Sequence, residues 1–299
     1  MAIGIDPTID FAFKRLLGDP RHSDVTIHFL NAVLGGSPRI TRVVFLNPIL
    51  DPEDEGDKLS ILDIRALDDR GRWLNIEVQT RLSVGLGERL TYYVSSLYVG
   101  QLGKGEQYTQ LRPAICICVL ARALFPDVPD LHLDFRLLNA RTGLVLTNDL
   151  QVHLVELPKY NPGRVAIAEA TPLEKWVYFL RFAEQLTSQE IAANLIDPEF
   201  VEAAGVLEMI ARTPRERELY EARLKMERDT AAQLEYATAI GVRKGREEGR
   251  VQGEFVGRIR LLQQMLGQPE SSSSELAGLS IEQLSELENR LRSQFREQN

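Results

Sequence analysis

Cysteine is nearly absent: the 299 residues hold two, Cys116 and Cys118, set two apart inside an apolar run. A disulfide scaffold is excluded, and the pair reads as reduced, buried small residues. Histidine is scarce too. His22, His28, His132 and His153 show no mutual metal-ligand spacing, and two thiols without a second pair do not make a zinc site. No apolar run approaches the ~18–20 residues of a membrane span. The N-terminal MAIGIDPTIDFAFKRLL carries Asp6 and Asp10 where an export signal needs a basic start and an uninterrupted apolar stretch. The expectation is a cytoplasmic protein with no membrane partner. Positive charge is not in excess: Lys+Arg 35 against Asp+Glu 43 leaves a net charge of -8. The first 160 residues hold 17 basic and 20 acidic side chains, the remaining 139 hold 18 and 23, so neither half has the composition of a nucleic-acid coat. An enzyme that touches nucleic acid briefly, through carboxylates holding a metal, is compatible with that balance. Phosphate-cradling glycine loops, dinucleotide fingerprints and nucleophile elbows are also missing.

What is present is ordinary globular material, with 44% hydrophobic and 26% charged residues. The length allows a substantial core and about two domains. Helices are expected from about Thr8 to Leu17, ended by Gly18-Asp19-Pro20, and from Ser23 to Leu34, stopped by Gly35-Gly36. Ile40 to Phe45 suits a short strand, and Asp51 to Asp57 an acidic, solvated loop. Between Gly85 and Gln101, Leu86, Leu90, Tyr93 and Leu97 fall on one helical face. The wholly apolar Ala114 to Leu120 reads as a strand buried on both sides, reached by a parallel crossover. The alternation in 131–137 and in parts of 150–157 predicts an antiparallel extension of the sheet. Together these elements indicate a mixed α/β domain.

The most informative stretch is KLSILDIRALDDRGRWLNIEVQ, Lys58 to Gln79. Two strands flank a three-residue loop, Asp69 to Gly71, with glycine last in the left-handed conformation. In the second strand Leu74, Ile76 and Val78 face one way and Asn75, Glu77 and Gln79 the other. Centring the turn on Arg70 makes paired residues sum to 140. Asp63 then stands opposite Glu77, unless a bulge shifts the register by one. Two opposed carboxylates repel, and Asp63 interrupts an apolar strand, so the pair calls for a cation. Mg²⁺ suits, since it takes a couple of carboxylates plus water and phosphate oxygens. The plain alternative is solvated acids, or ion pairs with Arg65 or Arg81.

These residues carry a resemblance. Asp63, thirteen residues, then Glu77-x-Gln79 is similar to the PD-(D/E)XK nuclease superfamily, and more closely to its branch of recombination-promoting nucleases or transposases, which has Gln in place of the superfamily Lys. Asp10-x-x-Phe13-Lys14, Lys58, Glu156-Leu157-Pro158-Lys159 and Trp176 are further matches, over about residues 5–260. The resemblance implies a restriction-endonuclease-like mixed sheet core flanked by helices, followed by an all-helical C-terminal region. It implies a metal-dependent DNA endonuclease related to transposition and recombination, using Mg²⁺ or Mn²⁺ in its place. Water would attack the phosphodiester in line and leave a 5′-phosphate and a 3′-hydroxyl. Asp63 and Glu77 would hold the metal, and Gln79 would orient water or phosphate. Lys14 would supply the positive charge that Gln79 lacks, unless it is simply a solvated helix residue. Asp10 is a candidate third acid, with helix N-terminal placement as its alternative. Arg65 is a candidate phosphate ligand or an ion-pair partner of Glu77. Arg89, Tyr92 and Tyr93 could meet a DNA backbone, although packing of the tyrosines on the sheet is the favoured expectation.

Thr171-Pro172-Leu173-Glu174 is a capping box that opens a long helical region. The expected division is a nuclease-like domain over 1–165, a helical region over 166–267, and a small helical module over 275–299, with Ser271 to Ser274 a flexible linker. Glycines recur every four residues from Gly241 to Gly257. They make either a self-association face, hence a homo-oligomer through the C-terminal helices, or a marginal connector, since each helical glycine costs ~1 kcal/mol against alanine. The competing functional reading is a catalytically inactive nuclease fold, acting as a binding or scaffold protein through its helical tail.

Overall fold

A computed structural model describes residues 1–36, 39–47 and 64–298. The acidic loop 51–57, Lys58 and Asp63 lie outside the described residues. Met1–Lys225 forms one compact unit and Met226–Asn299 a second.

The first unit is built on a six-stranded mixed sheet. Its strands are β1 (Val43–Phe45), β2 (Ile64–Asp68), β3 (Trp73–Gln79), β4 (Ala114–Leu120), β5 (His132–Leu138) and β6 (Val145–Glu156), in spatial order β1-β2-β3-β4-β6-β5. The predicted hairpin is present: Ile64 pairs with Ile76, Arg65 with Asn75, Ala66 with Leu74 and Leu67 with Trp73. Each pair sums to 140, with no bulge among these residues. Gly71 closes the turn at φ 72°, where a side chain would strain. From β3 the chain crosses through α3 (Leu86–Val99) to β4, which lies parallel to both β3 and β6. All seven residues of β4 are buried, as its unbroken apolar sequence requires. β5 and β6 pair antiparallel, as the alternation predicted.

Strand alternation gives each sheet face its own core. Leu74, Ile76, Ile115, Ile117 and Val119 pack with α1 (Asp10–Leu17), α2 (Ser23–Leu34), α4 (Pro172–Phe182), α5 (Ser188–Asn194) and α6 (Pro198–Arg212). Trp176 sits within this layer, donating its indole N–H to His28 Nδ1 at 3.1 Å, with Phe29, Phe179 and Phe200 around it. The capping box of α4 is formed by Thr171 and Glu174 as read from the sequence. Ala114, Cys116, Cys118, Leu120 and Leu154 face the other way, onto Leu86, Leu90 and Val94 of α3. Tyr93 does not share that apolar face; Val94 takes its place, because the helix is turned slightly from the predicted stripe.

A 52-residue helix, α7, runs Pro214–Met265. At its start Glu216 forms a buried ion pair with Arg15 of α1. In the second unit α8 (Ser273–Ala277) and α9 (Ile281–Gln298) pack on the end of α7 through Ile259, Leu276, Leu284 and Leu291. The serine run is not the expected flexible linker. Ser271 exchanges two hydrogen bonds with Gln263, and Ser272 forms a capping box with Glu275 at the head of α8. No helix among the described residues is long and apolar enough to cross a membrane.

Candidate functional site

β3 carries Glu77 into the α3 side of the sheet, where the carboxylate is 1% exposed. It is there because strand parity opposes it to the Leu74–Ile76 face, and because its neighbour on β4, Cys118, points the same way. Burial first, and the charge of the neighbouring Glu77 second, push the Cys118 pKa well above the ordinary thiol value. This thiol is therefore inert. Gln79, two residues on and half-buried, donates its amide Nε2 to Glu77 Oε2 at 3.3 Å. From the first turns of α3, Arg89 brings Nη2 to 3.9 Å from the same oxygen. Glu77, Gln79 and Arg89 are thus gathered at the carboxyl end of β3, beside the crossover.

Of the other predicted residues, Asp10 and Lys14 form an ion pair of 3.2 Å on α1, both mostly buried. The apolar side of α1 packs on the sheet face opposite Glu77. Its approach, Asp6 and Thr8, lines a small cleft with Ala121 and Leu157 beyond β4 and β6. At its other end Gly18 abuts Ile64 at the start of β2. The two ends of the helix thus border the margin on which β3 ends. Arg65 is exposed on β2, its amide bonded to Asn47. Among the described residues no ion pair joins it to Glu77; Arg89 takes that role, a correction to the sequence expectation. Tyr92 is 68% exposed, not packed on the sheet. Tyr93 lies under the Arg89 guanidinium, 5.9 Å from ring centroid to Cζ.

The Glu156-Leu157-Pro158-Lys159 motif does a different job. Fully buried, Glu156 accepts the backbone N–H groups of Leu124 and Phe125 at 2.8 and 3.0 Å. Lys159 holds its second oxygen at 2.5 Å and donates to the Asp130 carbonyl. The motif staples the 121–131 connection to the end of β6.

This arrangement of strand, crossover helix and N-terminal helix agrees with one family model. A model described as PD-(D/E)XK nuclease family transposase matches residues 7–237. The chain belongs to this family. The family match spans the whole sheet and helices α1 to α6, so the α/β core with its helical C-terminal region is the family fold carried by this sequence. Comparison with curated proteins and with solved structures returns no match.

The oxygen donors fit a hard divalent cation. A buried carboxylate with a neighbouring amide is the chemistry Mg²⁺ accepts, and such an ion keeps several waters, so one further carboxylate completes a site. Among the described residues no group of three or more His, Cys, Asp or Glu side chains could hold a metal by itself.

Proposed function

We propose that this nuclease-family chain is a divalent-metal-dependent DNA endonuclease, with Mg²⁺ as the ion and Mn²⁺ as its substitute, working in DNA recombination or transposition. The observation that carries the reading is the register of the hairpin. Residues 64 to 67 pair with 76 to 73, and Glu77, next in line, is a buried acid with Gln79 beside it. The same pairing rule assigns residue 63 to residue 77, so Asp63 is taken as the second carboxylate and Asp63 and Glu77 as the metal ligands. A bound divalent cation would polarise the phosphate and make water acidic enough to attack at neutral pH. Gln79, whose amide carries both a donor and an acceptor, orients water or a phosphate oxygen. Lys14, reaching from α1, adds positive charge at the transition state, and its ion pair with Asp10 holds it in place. The water oxygen bonds to phosphorus as the P–O3′ bond breaks, giving a 5′-phosphate and a 3′-hydroxyl.

Incubation of plasmid and single-stranded DNA with Mg²⁺ or Mn²⁺, against an EDTA control, tests this. Metal-dependent nicking is expected, lost by ~100-fold or more in Asp63→Ala and Glu77→Gln. Asp63→Ala should melt no earlier than wild type, because a carboxylate repulsion is removed. Cleavage that survives both substitutions sinks the assignment. A folded wild type with no cleavage and no metal-induced rise in Tm moves the function to the helical tail as a binding or scaffold module.

A further inference from the structure

Arg89 is held in an arrangement that the described residues leave incomplete. Its Nε and Nη2 are both buried and make no hydrogen bond among the described residues. Those two atoms form one edge of the guanidinium, the edge that grips two oxygens of a phosphate or carboxylate side by side. Among the described residues the acid paired with it is Glu77, 3.9 Å from Nη2 and beyond hydrogen-bond range, which accepts from Gln79 instead. Buried donors without acceptors are costly, more so when charged. The placement adds to the cost. Arg89 is the fourth residue of α3, where the helix dipole already presents positive charge and favours an anion. Tyr93 lies under the guanidinium and fixes its plane. About a third of the side chain stays accessible (31% exposed) while the Nε–Nη2 edge itself is covered, so an anion arriving from outside meets that edge once the side chain shifts on binding, as interface side chains commonly do. Among the described residues, what is lacking there is an anion with paired oxygens, beside Glu77.

We propose that Arg89 grips the phosphodiester of the bound nucleic acid through its Nε–Nη2 edge, supplying from α3 the positive charge that Gln79 cannot supply from β3. The proposal rests on the nuclease reading for the identity of the anion. Its claim about Arg89 is separate and has a readout that needs no cleavage.

The experiment is fluorescence anisotropy of a labelled DNA duplex and a labelled single strand, in EDTA and with Ca²⁺ in place of Mg²⁺, over a series of salt concentrations. Wild type, Arg89→Gln, Arg89→Lys and the double variant Arg89→Gln/Gln79→Lys are compared. Arg89→Gln should weaken binding about tenfold. It should also flatten the slope of log K against log salt by roughly 0.7–0.9, the loss of one neutralised phosphate. Arg89→Lys keeps the charge, so its slope stays while affinity falls several-fold. The double variant puts a lysine back on the strand and should recover the slope, together with cleavage lost in Arg89→Gln. Arg89→Gln binding with wild-type affinity and slope overturns the proposal, even where wild type cleaves and Asp63→Ala does not; that outcome leaves the nuclease reading standing. Cleavage unaffected by Asp63→Ala and Glu77→Gln, with the slope still reduced in Arg89→Gln, removes the metal centre and keeps the phosphate grip. A wild type that binds neither DNA probe overturns both. Should Arg89→Gln melt early, Arg89→Lys decides, since it keeps a cation beside Glu77. Wild-type affinity in that variant shows the two-pronged edge to be idle and rejects the proposal.

Discussion

Sandwiched between His132 and Gln151, the His153 ring is almost wholly buried in the β5–β6 ladder. Its Nε2 lies 3.1 Å from the Gln151 amide oxygen, which only accepts, so that nitrogen carries the proton. Nδ1 then accepts from His132 Nε2 at 3.0 Å. Burial above all lowers the His153 pKa to about 4, and His132, Arg136 and Arg72 work in the same direction against the attraction of Asp134. The sign follows from linkage. Below about 6.5 the unfolded histidine takes a proton that the folded one refuses until about 4, so stability falls as pH drops through that window. Tm measured from pH 7.5 to 4 should decline by an amount worth up to about 3 kcal/mol, and His153→Gln should flatten that part of the curve. A wild-type profile that His153→Gln leaves unchanged contradicts this account. The sequence spacing of His132 and His153, twenty-one residues apart, carried no sign of the pair, because only the antiparallel register brings them together.

Elements show most clearly what could be read in advance. From Ile64 to Gln79 the hairpin was legible, since Gly71 marks the turn and the alternation of Trp73 to Gln79 sets the parity, so Glu77 and Gln79 could be placed on one face beforehand. The partner Arg89 was not. Its approach to Glu77 depends on how far α3 is rotated on the sheet, and a few tens of degrees separate Tyr93 on the apolar stripe from Val94 on it. Glu156-Leu157-Pro158-Lys159 was visible as a motif, yet its meaning lay in backbone N–H groups thirty residues upstream. Replacing Glu156 by Ala leaves the Lys159 ammonium and two amide donors without their acceptor. A cost of about 3–5 kcal/mol in chemical unfolding is expected, whereas an exposed acid such as Glu88 should cost almost nothing. On α7 the glycines at 241 to 257 meet nothing where a Cβ would stand. Gly245→Ala with Gly249→Ala should therefore raise helix stability by about 1 kcal/mol each, read by circular dichroism on heating. If sedimentation shows that the wild type self-associates and the double variant does not, the stripe is a contact face between copies.

At the scale of the molecule, the two units keep separate cores. Every buried residue of the large core lies between Ile3 and Tyr220, and every buried residue of the small one between Ile259 and Leu291. A chain ended after Lys225 loses no member of the large core. It should melt in one cooperative transition within a few degrees of the corresponding transition of the full chain, a comparison calorimetry makes directly. A chain ended after Phe182 loses Phe200, Leu207 and Glu216, and should not fold. That contrast has a consequence for how the protein is made. The backbone of the first residues is tied to the far side of the unit: Ile3 and Gly4 donate to the carbonyls of Leu186 and Glu184, Asp6 to the Tyr220 hydroxyl, and Arg15 reaches Glu216. On a ribosome adding ~5–20 residues per second, Tyr220 follows Ile3 by roughly 10–40 s. In the later half of that interval the apolar β4 segment is already made while the helices that cover one of its faces are not. The nascent chain therefore depends on being shielded during synthesis, and slowing elongation before codon 220 prolongs the interval in which it is open to chaperones and proteases alike.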